Sequence, residues 1–151
     1  MKNFLSFLLC LFVIFASFTK GYAQHEHPSA ETKTGKPQLG FSPVLSTFLS
    51  DPELKKYKME STLLTVDPYA EDTVSHRHDA ELFGYVIEGS VEVGLEHRSP
   101  VTFTAGQMFY EKRNILHSYL KNPNAHQSAK VLLISIIKDG REGYTRAYPE
   151  K

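Results

Sequence analysis

The sequence has 151 residues, which is enough for one domain and too few for two independent hydrophobic cores. Its 17 basic and 17 acidic residues give a net charge of zero, which argues against a protein that binds nucleic acid or anionic membranes. A single cysteine excludes an internal disulfide framework and a cysteine-rich zinc site, and a hydrophobic fraction of 41% excludes wholesale disorder. Seven histidines in a neutral chain are the unusual feature.

The first segment of the chain has the three parts of a secretory signal peptide. Lys2 precedes a 15-residue apolar run over 4–18, and the small residues Gly21 and Ala23 mark a cleavage site. The run is shorter than the roughly 20 residues that span a bilayer, so we expect residues 1–23 to be removed rather than kept as a membrane anchor. The only cysteine would leave with them, and the mature chain would keep 15 basic against 17 acidic residues. We therefore predict a periplasmic or secreted protein.

The next segment, 24–40, is polar and aperiodic, with two prolines and two glycines, and we interpret it as a flexible leader. The two histidines of this leader, His25 and His27, are expected to be exposed to solvent. Residues 41–49 are apolar enough to pack against a core. After them, Asp51 followed by Pro52 is typical of a helix start and predicts a short helix that ends near Tyr57.

From residue 59 onward the pattern is that of short β-strands. Val91, Val93 and Leu95 alternate with glutamate and glycine, which is the period-two pattern of a half-buried strand. Further apolar runs between turn sequences predict strands at 61–66, 82–87, 101–103, 108–110, 115–120 and 131–137. Seven or more closely spaced short strands predict an all-β sandwich or barrel, with a core at 59–137 inside a domain that spans 41–151.

Three of the histidines have a spacing that suits a metal site. His76 and His78 are residues i and i+2, which share one face of a strand, and two imidazoles on one face can bind a single divalent ion. His117, near the start of a later predicted strand, would supply a third nitrogen. His97 and His126 lie beside charged or turn residues and are expected in solvent.

The two stretches that carry these three histidines, 76–89 and 106–122, resemble the two sequence motifs of the cupin superfamily. The first motif has His-x-His, a glutamate and a turn glycine, here Gly89; the second begins with a glycine, here Gly106, and continues to a histidine and an asparagine. The resemblance implies a single antiparallel jelly-roll β-barrel, preceded by a short helical or extended segment. It also implies a metal held by the three histidines at the mouth of the barrel.

The chain departs from the family pattern in three places. The position of the family's glutamate ligand is occupied by Leu82, and Glu81 lies one residue early, so Glu81 reaches the metal only if a bulge redirects it. In the turn of the second motif Lys112 and Asn114 replace a proline and a glycine, and asparagine tolerates a left-handed backbone. The position of the family's asparagine is occupied by Lys121, with Asn122 one residue later.

Glu111 is a second candidate carboxylate. It lies six residues before His117, at the end of a predicted strand. There it either faces solvent, accepts a hydrogen bond from a ligand histidine, or acts as a general base near the metal. Glu81 and Glu111 are therefore the two candidates for proton transfer, and Glu81 is also a candidate fourth ligand.

The resemblance to the cupin superfamily leaves several functions open, because cupins include dioxygenases, isomerases, decarboxylases, lyases and non-catalytic binders. Our first hypothesis is a metal-dependent enzyme, dioxygenase-like, that acts on a small oxygenated organic substrate with Fe, Mn, Ni, Cu or Zn. The alternative is a non-catalytic cupin that binds or senses a small molecule. Neither hypothesis involves nucleic acid or a stable membrane anchor. An exposed strand near the leader could pair with a second copy of the chain, so a homodimer is a further expectation.

Overall fold

The computed structural model describes residues 35–96 and 98–148. The predicted signal peptide, the leader's two histidines and His97 lie outside the described residues, so the predictions made for them stay predictions. Nothing in the described part of the chain forms a helix long and apolar enough to cross a membrane.

The described residues form eleven β-strands. In chain order these are β1 (Leu39–Phe48), β2 (Tyr57–Val66), β3 (Glu71–Asp72), β4 (His76–Arg77), β5 (Ala80–Glu88), β6 (Ser90–Leu95), β7 (Val101–Thr104), β8 (Met108–Glu111), β9 (Leu116–Lys121), β10 (Ala129–Lys138) and β11 (Thr145–Arg146). Each strand predicted from residue 59 onward is confirmed, and the fold is all-β as predicted. Asn114, in the turn between β8 and β9, adopts the left-handed conformation with φ of 61°.

The strands make two antiparallel sheets. One sheet has the spatial order β1-β2-β10-β5-β8, and the other has the order β11-β4-β9-β6-β7 with β3 paired to β9. The core lies between the sheets and consists mainly of inward-facing aliphatic side chains from both, among them Leu64, Val86, Val91 and Val131. The arrangement is a cupin-like jelly-roll sandwich, one of the two forms that the strand pattern predicted. Within the described residues the two sheets do not close into the continuous barrel that the family resemblance implied.

The predicted helix after Asp51 is wrong. The Asp51 side chain does accept a hydrogen bond from the main-chain nitrogen of Glu53, at 2.8 Å, as a helix cap would. The chain then makes successive turns, closed by bonds from Leu54 N to Asp51 O and from Tyr57 N to Leu54 O, and enters β2 at Tyr57. With only five residues before that strand there is no room for a stable helix.

Strand β1 also differs from expectation. It begins at Leu39, two residues inside the predicted leader, and it pairs with β2 at the edge of its sheet. Three of its large apolar side chains are exposed rather than packed into the core: Phe41, Val44 and Phe48. Main-chain pairing with β2 holds the strand in place. The extended form of the predicted N-terminal segment is therefore the one observed.

Candidate metal centre

Two of the predicted ligand histidines come from neighbouring strands. β4 pairs with β9 in a register that sets His76 directly opposite His117, so both side chains lie on the same face of the sheet. Both are buried, and their ring centroids are 4.7 Å apart. The strand pairing alone therefore brings together two imidazoles that are 41 positions apart in the sequence.

His78 joins them from beyond the end of a strand. β4 comprises only His76 and Arg77, so the same-strand argument used for the His-x-His motif does not describe His78. Its ring nevertheless lies 4.9 Å from the ring of His76 and 6.5 Å from that of His117. Arg77 is exposed, and its side chain donates to the main-chain oxygen of Asn114 at 2.6 Å. The three predicted histidines thus form one cluster.

Each of the three rings is held in the same way, through its Nδ1 atom. Because a carbonyl or carboxylate oxygen accepts hydrogen bonds, each Nδ1 carries the hydrogen and a neutral ring keeps a free lone pair on Nε2. This is how metal-binding histidines are commonly oriented. The oxygens that hold the rings are Val74 O for His76 (2.8 Å), Gly143 O for His78 (2.8 Å) and Glu111 Oε1 for His117 (2.9 Å).

Burial favours the neutral form of at least one of these rings. It lowers the pKa of His76 below its ordinary value of 6.5, and the neighbouring His117 and His78 rings lower it further. The hydrogen bond to the main-chain oxygen of Val74 and the more distant charge of Asp72 act in the opposite direction. A lowered pKa keeps the imidazole unprotonated, which is the form that binds metal ions.

Glu111 lies inside the cluster, and solvent does not reach it. Its side chain is only 2% exposed, and one carboxylate oxygen, Oε1, accepts the hydrogen bond from His117. The other oxygen, Oε2, has no hydrogen-bond partner and lies 3.9 Å from Nε2 of His78. An unpaired buried carboxylate oxygen is costly, so its presence among three imidazoles is a strong indication of function.

The register of the sheet explains how a carboxylate reaches this point. Strands β5 and β8 pair so that Leu82 lies directly opposite Glu111, and both side chains are buried on the inner face. Leu82 occupies the position at which the cupin motif has its glutamate. At position 82 β5 has no carboxylate on its inner face, and the adjacent strand β8 supplies one there from the directly opposite residue, Glu111.

Glu81 is directed to the opposite face. Along β5 the buried residues are those at 80, 82, 84 and 86, so the side chain at 81 is on the outer face. Its carboxylate accepts hydrogen bonds from the Tyr110 hydroxyl and from the main-chain nitrogen of Arg113. No bulge redirects it to the histidines, because the pairing of β5 with β10 is regular at this position.

A cavity of about 100 Å³ opens onto the cluster. Its polar side is formed by the three histidines, Glu111 and Asp72. The rest of its wall is apolar and consists of Leu39, Phe41, Leu64, Leu82, Phe109, Leu120 and Leu133, together with Tyr144. At about 30 Å³ per water molecule, this space holds about three waters or the reactive end of a small organic molecule.

The donor atoms suit a transition metal, although the coordination sphere is not closed. Among residues 35–96 and 98–148 no three His, Cys, Asp or Glu side chains are already drawn together at metal-binding distances. The ring separation between His78 and His117 is the widest in the cluster. Side-chain rotations would be needed to bring three nitrogens to within about 2.1 Å of one ion. Free Nε2 atoms and an unpaired buried carboxylate oxygen are nevertheless the groups that such an ion requires.

The sequence analysis missed Asp72 and Val74, which respectively line the cavity and hold His76, and it also missed two residues near the C-terminus. The main-chain oxygen of Gly143 holds His78, and the Tyr144 ring packs 4.6 Å from the ring of His76. Their only sequence signal is a tyrosine after a glycine in a polar stretch, which predicts a loop. Of the predicted surface histidines, His126 is exposed as expected.

The model of the cupin domain family matches residues 62–135, which include all three histidines and Glu111. The chain contains a cupin domain. Its fold is similar to that of an uncharacterized conserved protein with a double-stranded β-helix domain from Klebsiella pneumoniae, at 20% identity and a TM-score of 0.55, over 76% of this chain and 81% of the other.

Two further structures support the same fold for this cupin-domain protein. A cupin superfamily protein from Desulfitobacterium hafniense matches 67% of this chain and 79% of its own, at 10% identity and a TM-score of 0.51. KdgF from a Halomonas species matches 70% of this chain and 89% of its own, at 20% identity and a TM-score of 0.51. No curated protein sequence shows a significant match. At these identities the structural matches establish the fold alone.

Proposed function

We propose that this cupin-domain protein is a metal-dependent enzyme that acts on a small oxygenated organic substrate. The observation that carries the proposal is the common orientation of three imidazoles, each held through Nδ1 so that its Nε2 atom is free. His76, His78 and His117 would hold the ion. Nitrogen ligands with a nearby carboxylate suit divalent Fe, Mn, Ni, Cu or Zn.

When bound, such an ion supplies a Lewis acid or an oxygen-activating centre. The chain's own contribution begins with Glu111, whose Oε1 atom fixes the tautomer and the orientation of the His117 ring. The unpaired Oε2 atom is free to accept a proton from a molecule in the cavity. The apolar wall around Leu82 and Phe109 limits the water that reaches this carboxylate, which strengthens its interaction with a charged or polar ligand.

The alternative function is non-catalytic binding or sensing of a small molecule in the same cavity, with or without a metal, and it differs in the role of Glu111. In either function the unpaired Oε2 atom of Glu111 would contact the bound molecule, and only the enzyme would also use it to accept a proton. Turnover of a substrate that is lost in Glu111→Gln, with metal still bound, would separate the two functions.

The proposal is tested by elemental analysis of the purified protein, with His117→Ala as the variant and His126→Ala as a matched control on the surface. We expect about one equivalent of a transition metal in the unchanged protein and in His126→Ala, and less than about 0.2 equivalents in His117→Ala. Less than about 0.2 equivalents in the unchanged protein, even after incubation with each candidate metal, would refute the metal-dependent function. Metal that persists in His117→Ala would refute the ligand assignment instead.

A further inference from the structure

A short segment beyond the family's domain passes along the histidine cluster. Residues 143–147, here called the strap, follow β10 and lie outside the part of the chain that the cupin domain model matches. Within the strap, β11 pairs with β4 so that Arg146 is opposite His76 and Thr145 is opposite Arg77. The main-chain nitrogen of Ala147 donates to the oxygen of Ser75 at 2.9 Å. The strap is therefore attached along the strand that carries the first ligand histidine.

One contact of the strap supports a histidine that no strand holds. His78 lies just past the end of β4, so the strand pairing that positions His76 does not extend to it. Its Nδ1 atom donates instead to the main-chain oxygen of Gly143, at 2.8 Å. A hydrogen bond of this kind fixes which ring nitrogen is free and how the ring is turned.

The next residue of the strap covers a second histidine. The Tyr144 ring lies 4.6 Å from the ring of His76, tilted by 32°, and 6.3 Å from the ring of His78. Tyr144 is 47% exposed, so one side of its ring faces the cluster while another part meets solvent. It also lines the cavity of about 100 Å³ that opens onto the histidines.

The strap borders a second pocket as well. Gly143 lines an adjacent pocket of about 160 Å³, whose other residues include Glu60, Thr62 and Ser135. This pocket and the metal cavity share His78 in their walls. Gly143 and Tyr144, two consecutive residues of the strap, thus line adjoining spaces that share His78 in their walls.

We propose that the strap is an integral wall of the metal centre, in which the Gly143 carbonyl positions His78 and the Tyr144 ring packs over His76 to hold it in place. Both act through the histidines, so they are positioning residues rather than catalytic ones. The inference rests on the proposed function, because it concerns the same metal. It adds that residues 62–135, the part that matches the family, are insufficient for full metal affinity.

The experiment uses four variants of the full chain. Tyr144→Ala removes the ring above His76, and Tyr144→Phe keeps the ring and removes only the hydroxyl. Ala147→Pro removes the main-chain donor that attaches the strap to Ser75, since proline has no N–H. Tyr148→Ala is the matched control, because Tyr148 is the same residue type nearby and is 79% exposed.

Affinity for Co²⁺ is measured by competition with a chelator, and the visible spectrum of the Co²⁺-loaded protein reports the coordination of the ion. We expect Tyr144→Ala and Ala147→Pro each to weaken Co²⁺ binding by about 10- to 100-fold and to change the spectrum, as loss of a group that orients a ligand does. Tyr144→Phe and Tyr148→Ala should bind Co²⁺ like the unchanged protein. Circular dichroism and thermal unfolding of the metal-free proteins establish that each variant is folded.

Two results would overturn the inference, and they are distinguishable. If the folded Tyr144→Ala and Ala147→Pro variants bind Co²⁺ as tightly as the unchanged protein and with the same spectrum, the strap is not part of the metal centre while the proposed function stands. If the unchanged protein binds neither Co²⁺ nor any other transition metal, the proposed function fails and the strap's role fails with it. Should Ala147→Pro not fold, the comparison of Tyr144→Ala with Tyr144→Phe decides the matter.

Discussion

Asn122 and Glu111 are both buried polar side chains, and they mark two regions of the same interior. Asn122 follows the last residue of β9 and lies beside the aliphatic core, whereas Glu111 contacts His117 near the start of that strand. The Asn122 amide nitrogen donates to three main-chain oxygens, at 2.8 to 3.3 Å, and its side-chain oxygen accepts from the nitrogen of Asn124 at 2.9 Å. Glu111 has one oxygen paired and the other unpaired.

The difference separates a structural role from a functional one. A buried polar group with all its hydrogen bonds made stabilises the fold and fixes the loops around it, whereas one that lacks a partner lowers stability. Asn122 therefore belongs to the part of the molecule that holds the sandwich together. In the region around the histidines, the Oε2 atom of Glu111 has no hydrogen-bond partner. This is the state expected of a site that completes its contacts with a ligand.

The largest loss of stability is expected from Asn122→Ala, in the region beside the aliphatic core. This change removes the donor to Val66 O and Gln127 O and the acceptor of Asn124 N, while Asp67 O keeps its bond from Ala70 N. At about 1–3 kcal/mol for each buried unsatisfied group, we expect the free energy of unfolding to fall by roughly 3 kcal/mol or more. Urea unfolding of the metal-free protein measures it. Because the side chain does not contact the histidines, metal affinity should be unchanged among the molecules that fold. A loss of metal affinity without a loss of stability would contradict the structural role assigned to Asn122.

The second-largest loss of stability is expected from Gly84→Ala, which tests the packing around Phe109. A Cβ atom at residue 84 would lie 2.0 to 2.5 Å from three ring atoms of Phe109, which is both a core residue and part of the wall of the cavity beside the histidines. Overpacking of this kind costs typically 1–3 kcal/mol, and we expect about 2 kcal/mol by urea unfolding. Adding Phe109→Leu should recover part of the loss, since the smaller side chain makes room. If the double variant is no more stable than Gly84→Ala, the contact is not the cause.

At the functional end, Glu111→Leu should affect metal binding more than stability. The change removes the group that orients His117, so we expect metal affinity to fall by about 10- to 100-fold. Stability should fall less than in Asn122→Ala, because an unpaired buried carboxylate is removed at the same time. Chelator competition and urea unfolding measure the two quantities. A large loss of stability would show that Glu111, like Asn122, mainly stabilises the fold.

A second substitution sharpens this test. In the Glu111→Leu background, Leu82→Glu returns a carboxylate to the same face from the directly opposite position, which is where the cupin motif has it. We expect the double variant to regain part of the lost metal affinity. Glu81→Gln, on the outer face, is the matched control and should leave affinity unchanged. A double variant that binds metal no better than Glu111→Leu would show that the two positions are not interchangeable.

The smallest effect is expected from Tyr110→Phe, on the outer face of the sheet. The hydrogen bond to Glu81, followed by desolvation and the charge of that carboxylate, raises the pKa of Tyr110 above its ordinary value of 10.0. A raised pKa in the folded state means that the stabilisation is present below pH 10.0 and is lost as the pH rises through the folded pKa. Tyr110→Phe should therefore lower the thermal midpoint slightly at neutral pH, and the difference should disappear in strongly alkaline solution. Metal affinity should not change.

The fold was largely predictable from the sequence because sheets impose a period of two on it. Val91, Val93 and Leu95 alternate with polar residues and glycine, and all three are found facing inward or partly buried in β6. The helix after Asp51 was mispredicted because its capping side chain serves a turn equally well. Strand β1 was expected in the core because it is apolar, yet at a sheet edge the main-chain pairing is sufficient to hold it.

The sequence by itself determined which three histidines meet, since the spacing of His76, His78 and His117 matched a known motif. It did not determine which carboxylate joins them. Glu81 is nearer to the motif position, but a side chain one residue off in a strand lies on the opposite face, and only the β5–β8 register places Glu111 opposite Leu82. Nor did it determine the strap, because a hydrogen bond between the Gly143 carbonyl and His78 joins residues 65 positions apart and leaves no local pattern in the sequence.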